Sequence, residues 1–236
     1  MKNAIAALMA RYSEVQLATL IDAVPSGPNW IHEIKLDGYR LLGFRAGSSA
    51  QLITRNGKNW TESFPSLSTA LLGLSVHDAV LDMEAVVLDS HGKSSFQALQ
   101  NALGEGGDRK SIVAYVFDLL HLEGRDLRKL PLLERKKILE ALLGKSKTLR
   151  YSGHVIGQGQ EMFVKACEAG LEGVISKDAN APYLTGRNKS WLKIKCSLRQ
   201  EFIIIGYSDP QSGARALGAL YLAYRQKGAL RYAGKV

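Results

Sequence analysis

The stretch Glu33-Ile34-Lys35-Leu36-Asp37-Gly38-Tyr39-Arg40 sets a lysine at the end of an apolar run, with a glycine turn just after it. Glycine tolerates backbone angles that other residues avoid, so a turn at Gly38 is expected to leave the Lys35 amine exposed at the strand end. A neutral lysine amine is a nucleophile able to form a covalent intermediate. Asp37 and Arg40 put opposite charges within reach of the same place. A surface Lys–Asp pair in a hairpin turn has the same local sequence, so the company Lys35 keeps decides between the readings.

That company is an ordered set. Thr54-Arg55-Asn56-Gly57 offers an arginine beside a turn. Leu81-Asp82-Met83-Glu84 puts two acids on one face of an apolar strand, because residues two apart point the same way. Burying paired carboxylates is costly without a cation or hydrogen-bond donors. Tyr115-Val116-Phe117-Asp118 places two aromatics on one face and ends in an acid. Glu172-Gly173-Val174-Ile175-Ser176-Lys177 brackets an apolar strand with opposite charges. Trp191-Leu192-Lys193-Ile194-Lys195 turns both lysines to one side and Leu192 and Ile194 to the other. Singly, each has a plain structural explanation: Tyr115 and Phe117 as core, Glu84 beside a surface lysine, Lys193 and Lys195 on a solvated strand face. Together they run nucleophile, arginine, acid, aromatic, acid, two lysines.

The elements that must position them read as short strands between loops rich in Gly, Ser and Asn. Apolar runs predict strands over 30–35, 39–45, 51–54, 79–88, 112–119, 173–177 and 191–195. Pro131 is expected in the first turn of a helix whose Leu132, Leu139, Leu142 and Leu143 share a face. A second helix is expected over 160–169, with Met162, Phe163, Ala166 and Cys167 at helical spacing and Gly170 placed to stop it. The apolar start before Arg11 is too short for a secretion signal and reads as a helix. Past Ser197 the pattern changes to strands over 201–207, 216–224 and 230–236. Only about forty residues lie there, few for an independent domain, so this segment reads as part of a small β-barrel.

A chain of 236 residues with 46% hydrophobic content can bury a sizeable core, and its net charge of +9 suits a polyanionic partner. The two cysteines, Cys167 and Cys196, fit no zinc spacing. The expectation is no disulfide and a reducing, cytoplasmic setting. No segment is long enough to span a bilayer, so no membrane partner is expected.

In this order the motifs resemble those of covalent nucleotidyltransferases, the superfamily of polynucleotide ligases and mRNA capping enzymes. The wider text around 32–40, 53–60, 94–100, 117–131 and 172–195 is closer still to the ligase domain of bacterial ligase D, the ATP-dependent DNA ligase of non-homologous end joining. The resemblance runs from about Val15 to the C-terminus. It implies an α+β, ATP-grasp-like DNA ligase adenylation domain of antiparallel sheets with flanking helices over 1–197. A partial OB-fold β-barrel would follow over 198–236. Met83 departs from the family's Asp-Gly-Glu pattern. The family's further basic motif, which orients pyrophosphate, falls outside the sequence, so slow reaction with free ATP is expected.

The resemblance also implies roles. Lys35 attacks the α-phosphate of ATP and keeps AMP as a phosphoramidate, with Lys193 and Lys195 as catalytic cations at the phosphate. Phe117 stacks on adenine, Glu33 lies near the exocyclic amine, and Ile34 belongs to the same nucleotide-binding set. Glu84 and Glu172 suit a Mg2+ or Mn2+ ion and the ribose hydroxyls. Arg55 suits the ribose or the phosphate of a DNA end, and Arg40 the nucleotide and the nick. The implied partner of this monomer is nicked or broken double-stranded DNA, with a polymerase domain or an end-binding protein as a further candidate. An RNA ligase, a GTP-using capping enzyme and an inactive nucleic-acid-binding module are the alternatives.

Overall fold

The computed structural model describes residues 2–196, 202–209, 217–226 and 228–236. The chain divides into two compact units, Met1–Cys196 and Ser197–Val236. In chain order the first contains α1 (Lys2–Tyr12), β1 (Gln16–Leu20), β2 (Trp30–Ile34), β3 (Tyr39–Ala46), β4 (Ser49–Thr54), α2 (Pro65–Leu72), β5 (Asp78–Val86) and α3 (Phe96–Leu103). It continues with β6 (Val113–Leu122), β7 (Arg125–Asp126), α4 (Leu132–Leu143), β8 (Leu149–Tyr151), β9 (Val155–Ile156), α5 (Gly159–Glu168), β10 (Gly173–Asp178) and β11 (Gly186–Lys195).

Two sheets result, one ordered β1-β11-β10-β2-β9 and the other β4-β3-β5-β6-β7, with β8 beside β6. Strand β5 is buried on both faces, which is why it reads as a nearly continuous apolar run. Leu41, Leu81, Met83 and Leu119 belong to a core that also takes in Leu67 and Leu71 of α2, Leu99 of α3 and Leu139 of α4. From the other face, Leu42, Phe44, Val80 and Leu120 meet Ile5 and Tyr12 of α1, together with Tyr183 and Trp191. Those last two join the sheets.

Several expectations need correction. The sheets are not wholly antiparallel: β1 pairs with β11 and β6 with β8 in parallel. Pro131 is the cap before α4, one position ahead of its first turn. Gly38 does not hold a left-handed backbone; it is absent from the glycines of positive φ. Its constraint is space, because a Cβ there would sit 2.2 Å from the Ala85 carbonyl oxygen. Cys167 and Cys196 form a disulfide, against the sequence-based expectation. They are 29 residues apart, but α5 packs on β10 next to β11, which brings their Cα atoms to 5.2 Å. Spacing along the chain carries no sign of that approach.

The second unit is a small antiparallel sheet of β12 (Ile203–Ser208), β13 (Ala219–Gln226) and β14 (Ala229–Lys235). Leu220 and Val236 exchange backbone hydrogen bonds of 2.7 and 3.0 Å beyond the last strand. No closed barrel forms among the described residues. The expected strand starts at Glu201 and Ala216 lie outside them.

Candidate active site

Lys35 follows β2, and its backbone N–H donates to the Gly173 carbonyl at 2.9 Å. Its ammonium donates to the Glu172 carboxylate. Glu172 arrives there from the end of α5. Gly170, at φ 69°, closes that helix by donating to the Cys167 carbonyl, and Leu171 donates to that of Ala166. This 6→1 and 5→2 pair is a Schellman cap, so the expected stop at Gly170 has a defined geometry. Gly173 then lets β10 meet β11 closely, since a Cβ there would lie 2.0 Å from the Ile194 carbonyl oxygen. Lys195, on that neighbouring strand, approaches the other oxygen of Glu172 at 3.6 Å and is about half exposed.

Two adjoining cavities open between the sheets, and Lys35, Arg40 and Glu84 line both. The smaller, of about 580 Å³, is bordered also by Glu33, Ile34, Phe117, Lys177 and Trp191. The larger, of about 1280 Å³, reaches Arg55, Lys58, Arg187 and Lys193. Aromatic rings border both, Phe117 and Trp191 the smaller and Tyr39, Trp60 and Phe96 the larger, while Arg55, Lys58, Arg187 and Lys193 add positive charge to the larger alone, which suits a ligand with a flat ring at one end and negative charge at the other.

In the smaller cavity, Glu33 is buried and accepts from Lys136 Nζ at 2.6 Å and Lys177 Nζ at 2.9 Å. Burial works against its charge, but the two ammonium groups prevail and hold the carboxyl below its ordinary range. Burial pushes Lys177 down to about 8. Its ammonium lies 4.4 Å from the ring centre of Phe117 and 4.2 Å from that of Trp191, in cation–π range.

Arg40 makes a two-point contact with Asp82, Nε to Oδ1 at 2.9 Å and Nη2 to Oδ2 at 2.6 Å. This supplies the cation that paired carboxylates on β5 require. Burial opposes the Arg40 charge, and Asp82 outweighs it, so the guanidinium is held above its usual value. Tyr183 donates to Asp82 at 2.6 Å and accepts from the Gln16 backbone at 3.0 Å. The Arg40 guanidinium also lies 5.2 and 5.5 Å from the Phe117 and Trp191 ring centres.

Glu84, the other acid of the pair, forms no ion pair among the described residues. Burial first, then Asp82 and Glu172, push its carboxyl up to about 8 against the opposing pull of Arg40 and Lys35. Burial, then Arg187, Lys195 and Lys35, lower Lys193. Among the described residues no three His, Cys, Asp or Glu side chains converge into a metal cage. Mg2+ or Mn2+ needs no such cage, since one or two carboxylates and substrate phosphates suffice to hold it. Glu84, a carboxylate at the cavity wall with no cation of its own, fits such an ion.

The structure thus brings Glu33, Ile34, Lys35, Arg40, Glu84 and Phe117 to one cavity, with Glu172 on Lys35. Arg55 and Lys193 border the neighbouring space, while Lys195 lines neither cavity and is tied to the site only through Glu172. Sequence reasoning missed Lys136, Ser152, Tyr183 and Arg187. Asp118 takes no part: Arg135 grips it at 2.7 and 2.9 Å inside the core.

Residues 8–195 match the model of the ATP dependent DNA ligase domain. The chain is 44% identical over 233 residues to the multifunctional non-homologous end joining protein LigD of Pseudomonas aeruginosa, covering 97% of this chain and 28% of that protein. It is 36% identical over 209 residues to the corresponding Mycobacterium tuberculosis protein, covering 88% of this chain and 27% of that one. It therefore spans less than a third of the length of these relatives. Among solved structures, a mycobacterial DNA ligase D complexed with ATP and MES superposes with a TM-score of 0.70 at 32% identity, covering 95% of this chain and 73% of that one.

Proposed function

The chain belongs to the ATP-dependent DNA ligase domain family, and from that premise we propose that it seals breaks in double-stranded DNA through an AMP-carrying Lys35, in end-joining repair. The observation that carries this is the position of Lys35 on the wall shared by two cavities, one bordered by Phe117 and Trp191 and the other by Arg55, Lys58, Arg187 and Lys193, with its ammonium on Glu172. Adenine enters the smaller cavity against Phe117 and Trp191, with Glu33 as acceptor for its exocyclic amine. The phosphates face Lys193, with Lys195 beside Glu172. Glu172 contacts the ribose and is the acceptor at hand for the proton that Lys35 sheds before attack. The nitrogen lone pair then forms the bond to the α-phosphorus as the bond to the bridging oxygen breaks, and pyrophosphate leaves with those electrons. Lys193 and Lys195 stabilise the charge that develops on the phosphate. Glu84 would hold Mg2+ or Mn2+, which supplies charge neutralisation at the phosphates when bound, while Glu172, engaged with Lys35, is left to the proton and the ribose.

AMP passes next to a DNA 5′-phosphate, and a 3′-hydroxyl displaces it. Arg55 and Arg187, both exposed beside the larger cavity, are the contacts for the DNA end, and binding falls with salt. Arg40 acts differently from a free phosphate ligand. Its guanidinium is occupied by Asp82 and two ring faces, so it shapes the pocket wall. The second unit is read as the start of an OB-fold, supported by its antiparallel meander. The domain division proposed is 1–197 and 198–236, one residue past the break between the two compact units, and a polymerase domain or an end-binding protein, in a longer chain or a complex, is the proposed further partner. The test is sealing of a labelled nick with ATP and Mg2+ by the parent chain and by Lys35→Ala. Sealing that needs Lys35 supports the proposal. Sealing confined to RNA, or charging only by GTP, moves the chain to the alternative classes, and DNA binding without either step makes it a binding module.

A further inference from the structure

A carboxylate offers about four acceptor positions. On Glu33 three are filled: Lys136 Nζ donates to Oε1 at 2.6 Å, and Lys177 Nζ and Ser152 Oγ donate to Oε2 at 2.9 and 3.2 Å. One position remains, on Oε1, in a residue that borders the smaller cavity. The lysines are engaged too. Lys136 also donates to the Ser152 carbonyl at 2.8 Å and lies 4.6 Å from the Tyr151 ring centre. Lys177 spends its remaining contacts on Phe117 and Trp191. Lys136 is fully buried and comes from α4, behind Glu33, without lining the cavity itself. Tyr151, the last residue of β8, and His154 just beyond it complete the surroundings; burial first and then Lys136 lower His154, against the pull of Glu33.

We propose that Lys136 is a positioning residue for nucleobase selection: from behind the pocket it keeps Glu33 ionised and oriented, so that the free Oε1 position accepts only an N–H. Adenine presents an exocyclic amine to such an acceptor, whereas guanine or hypoxanthine presents a carbonyl oxygen that a carboxylate repels. Without Lys136, Oε1 loses its donor and burial favours the protonated carboxyl, which donates as well as accepts. A carbonyl-bearing purine is then admitted. This rests on the reading of the cavity as an ATP pocket and adds to it the residue that sets the choice of base.

The test is single-turnover charging of the full chain with ATP and with GTP, each labelled at the α-phosphate, from pH 6 to 9. It compares the parent with Lys136→Met, Lys136→Arg and Glu33→Gln. Lys136→Met should lower the ATP-to-GTP rate ratio by about tenfold or more at pH 6, since a polar mismatch at a base edge is worth at least that. The ratio should recover as pH rises and Glu33 ionises. Lys136→Arg keeps a cation and should keep most of the ratio, and Glu33→Gln should lose it at every pH. A buried ion pair of purely structural value predicts that both nucleotides slow by one factor, with the ratio unchanged, and that result overturns the proposal. If Lys136→Met does not fold, an unchanged ratio in Glu33→Gln overturns it equally. A parent chain that is charged by neither nucleotide overturns the pocket reading itself, and this inference with it.

Discussion

Replacing Glu84 with glutamine should make the metal-free protein more stable, and increasingly so as pH rises. The carboxyl is moved from 4.5 to about 8 by burial, with Asp82 and Glu172 adding repulsion and Arg40 and Lys35 opposing it. The sign follows from proton counts. Below pH 4.5 the group is protonated in the folded and unfolded chain alike. As pH rises from there, the unfolded chain ionises while the folded one resists, so stability is lost, and the loss is complete once pH passes about 8. Moving a titration midpoint by one pH unit corresponds to about 1.4 kcal/mol, which sets an upper bound of roughly 5 kcal/mol. Glu84 is only partly buried at the wall of an open cavity, so solvent screening brings the working figure to about 2–3 kcal/mol. For a chain of this size that is roughly 5–10 °C in melting temperature. The assay is thermal melting of the parent and Glu84→Gln in chelator from pH 4.5 to 9. The two curves should nearly meet at the acid end and separate to a plateau above pH 8. A difference that stays flat across the range, or favours the parent at pH 9, refutes the account of Glu84 as a carboxylate lacking a cation.

Lys193→Ala and Lys195→Ala should each slow single-turnover charging by about a hundredfold or more, as expected for lost positive charge at a reacting phosphate, with melting temperatures near the parent value; losses below about threefold in both place these lysines outside the chemistry. The disulfide should appear in intact mass under non-reducing conditions as a deficit of two hydrogens. Its reduction by a dithiol, or Cys167→Ser, should lower the melting temperature by roughly 5–10 °C, because a bond closing a loop of this length typically contributes about 2–4 kcal/mol. An unchanged melt in Cys167→Ser contradicts the tie between α5 and the end of β11.

What the sequence made legible follows from local chemistry. The runs that became β3, β5, β10 and β11 are apolar enough to declare themselves, and alternation correctly put Leu192 and Ile194 in the core, away from the lysines between them. Strand β1 and helices α2 and α3 went unread. Their signals were short: Pro65 at the start of α2, and the Ser95 hydroxyl accepting from Ala98 at the start of α3. Side-chain pairings were the least accessible. That Asp82 belongs to Arg40 depends on how β3 registers against β5. Arg135 and Lys136 on α4 are charged, yet both are fully buried because Asp118 and Glu33 lie beneath them. Tyr183 lies in a loop, where periodicity says nothing. Gly38 was singled out for its turn, while its importance in the fold is the close passage of the Ala85 carbonyl.

The central claim is that Lys35 carries the nucleotide, and intact mass after incubation with ATP and Mg2+ addresses it most directly. The account predicts that the parent chain gains one adenylyl group, localised to Lys35 by peptide mapping, and that Lys35→Ala gains none while melting like the parent. Equal adenylylation of Lys35→Ala, or an adenylyl group mapped to another residue, would contradict it.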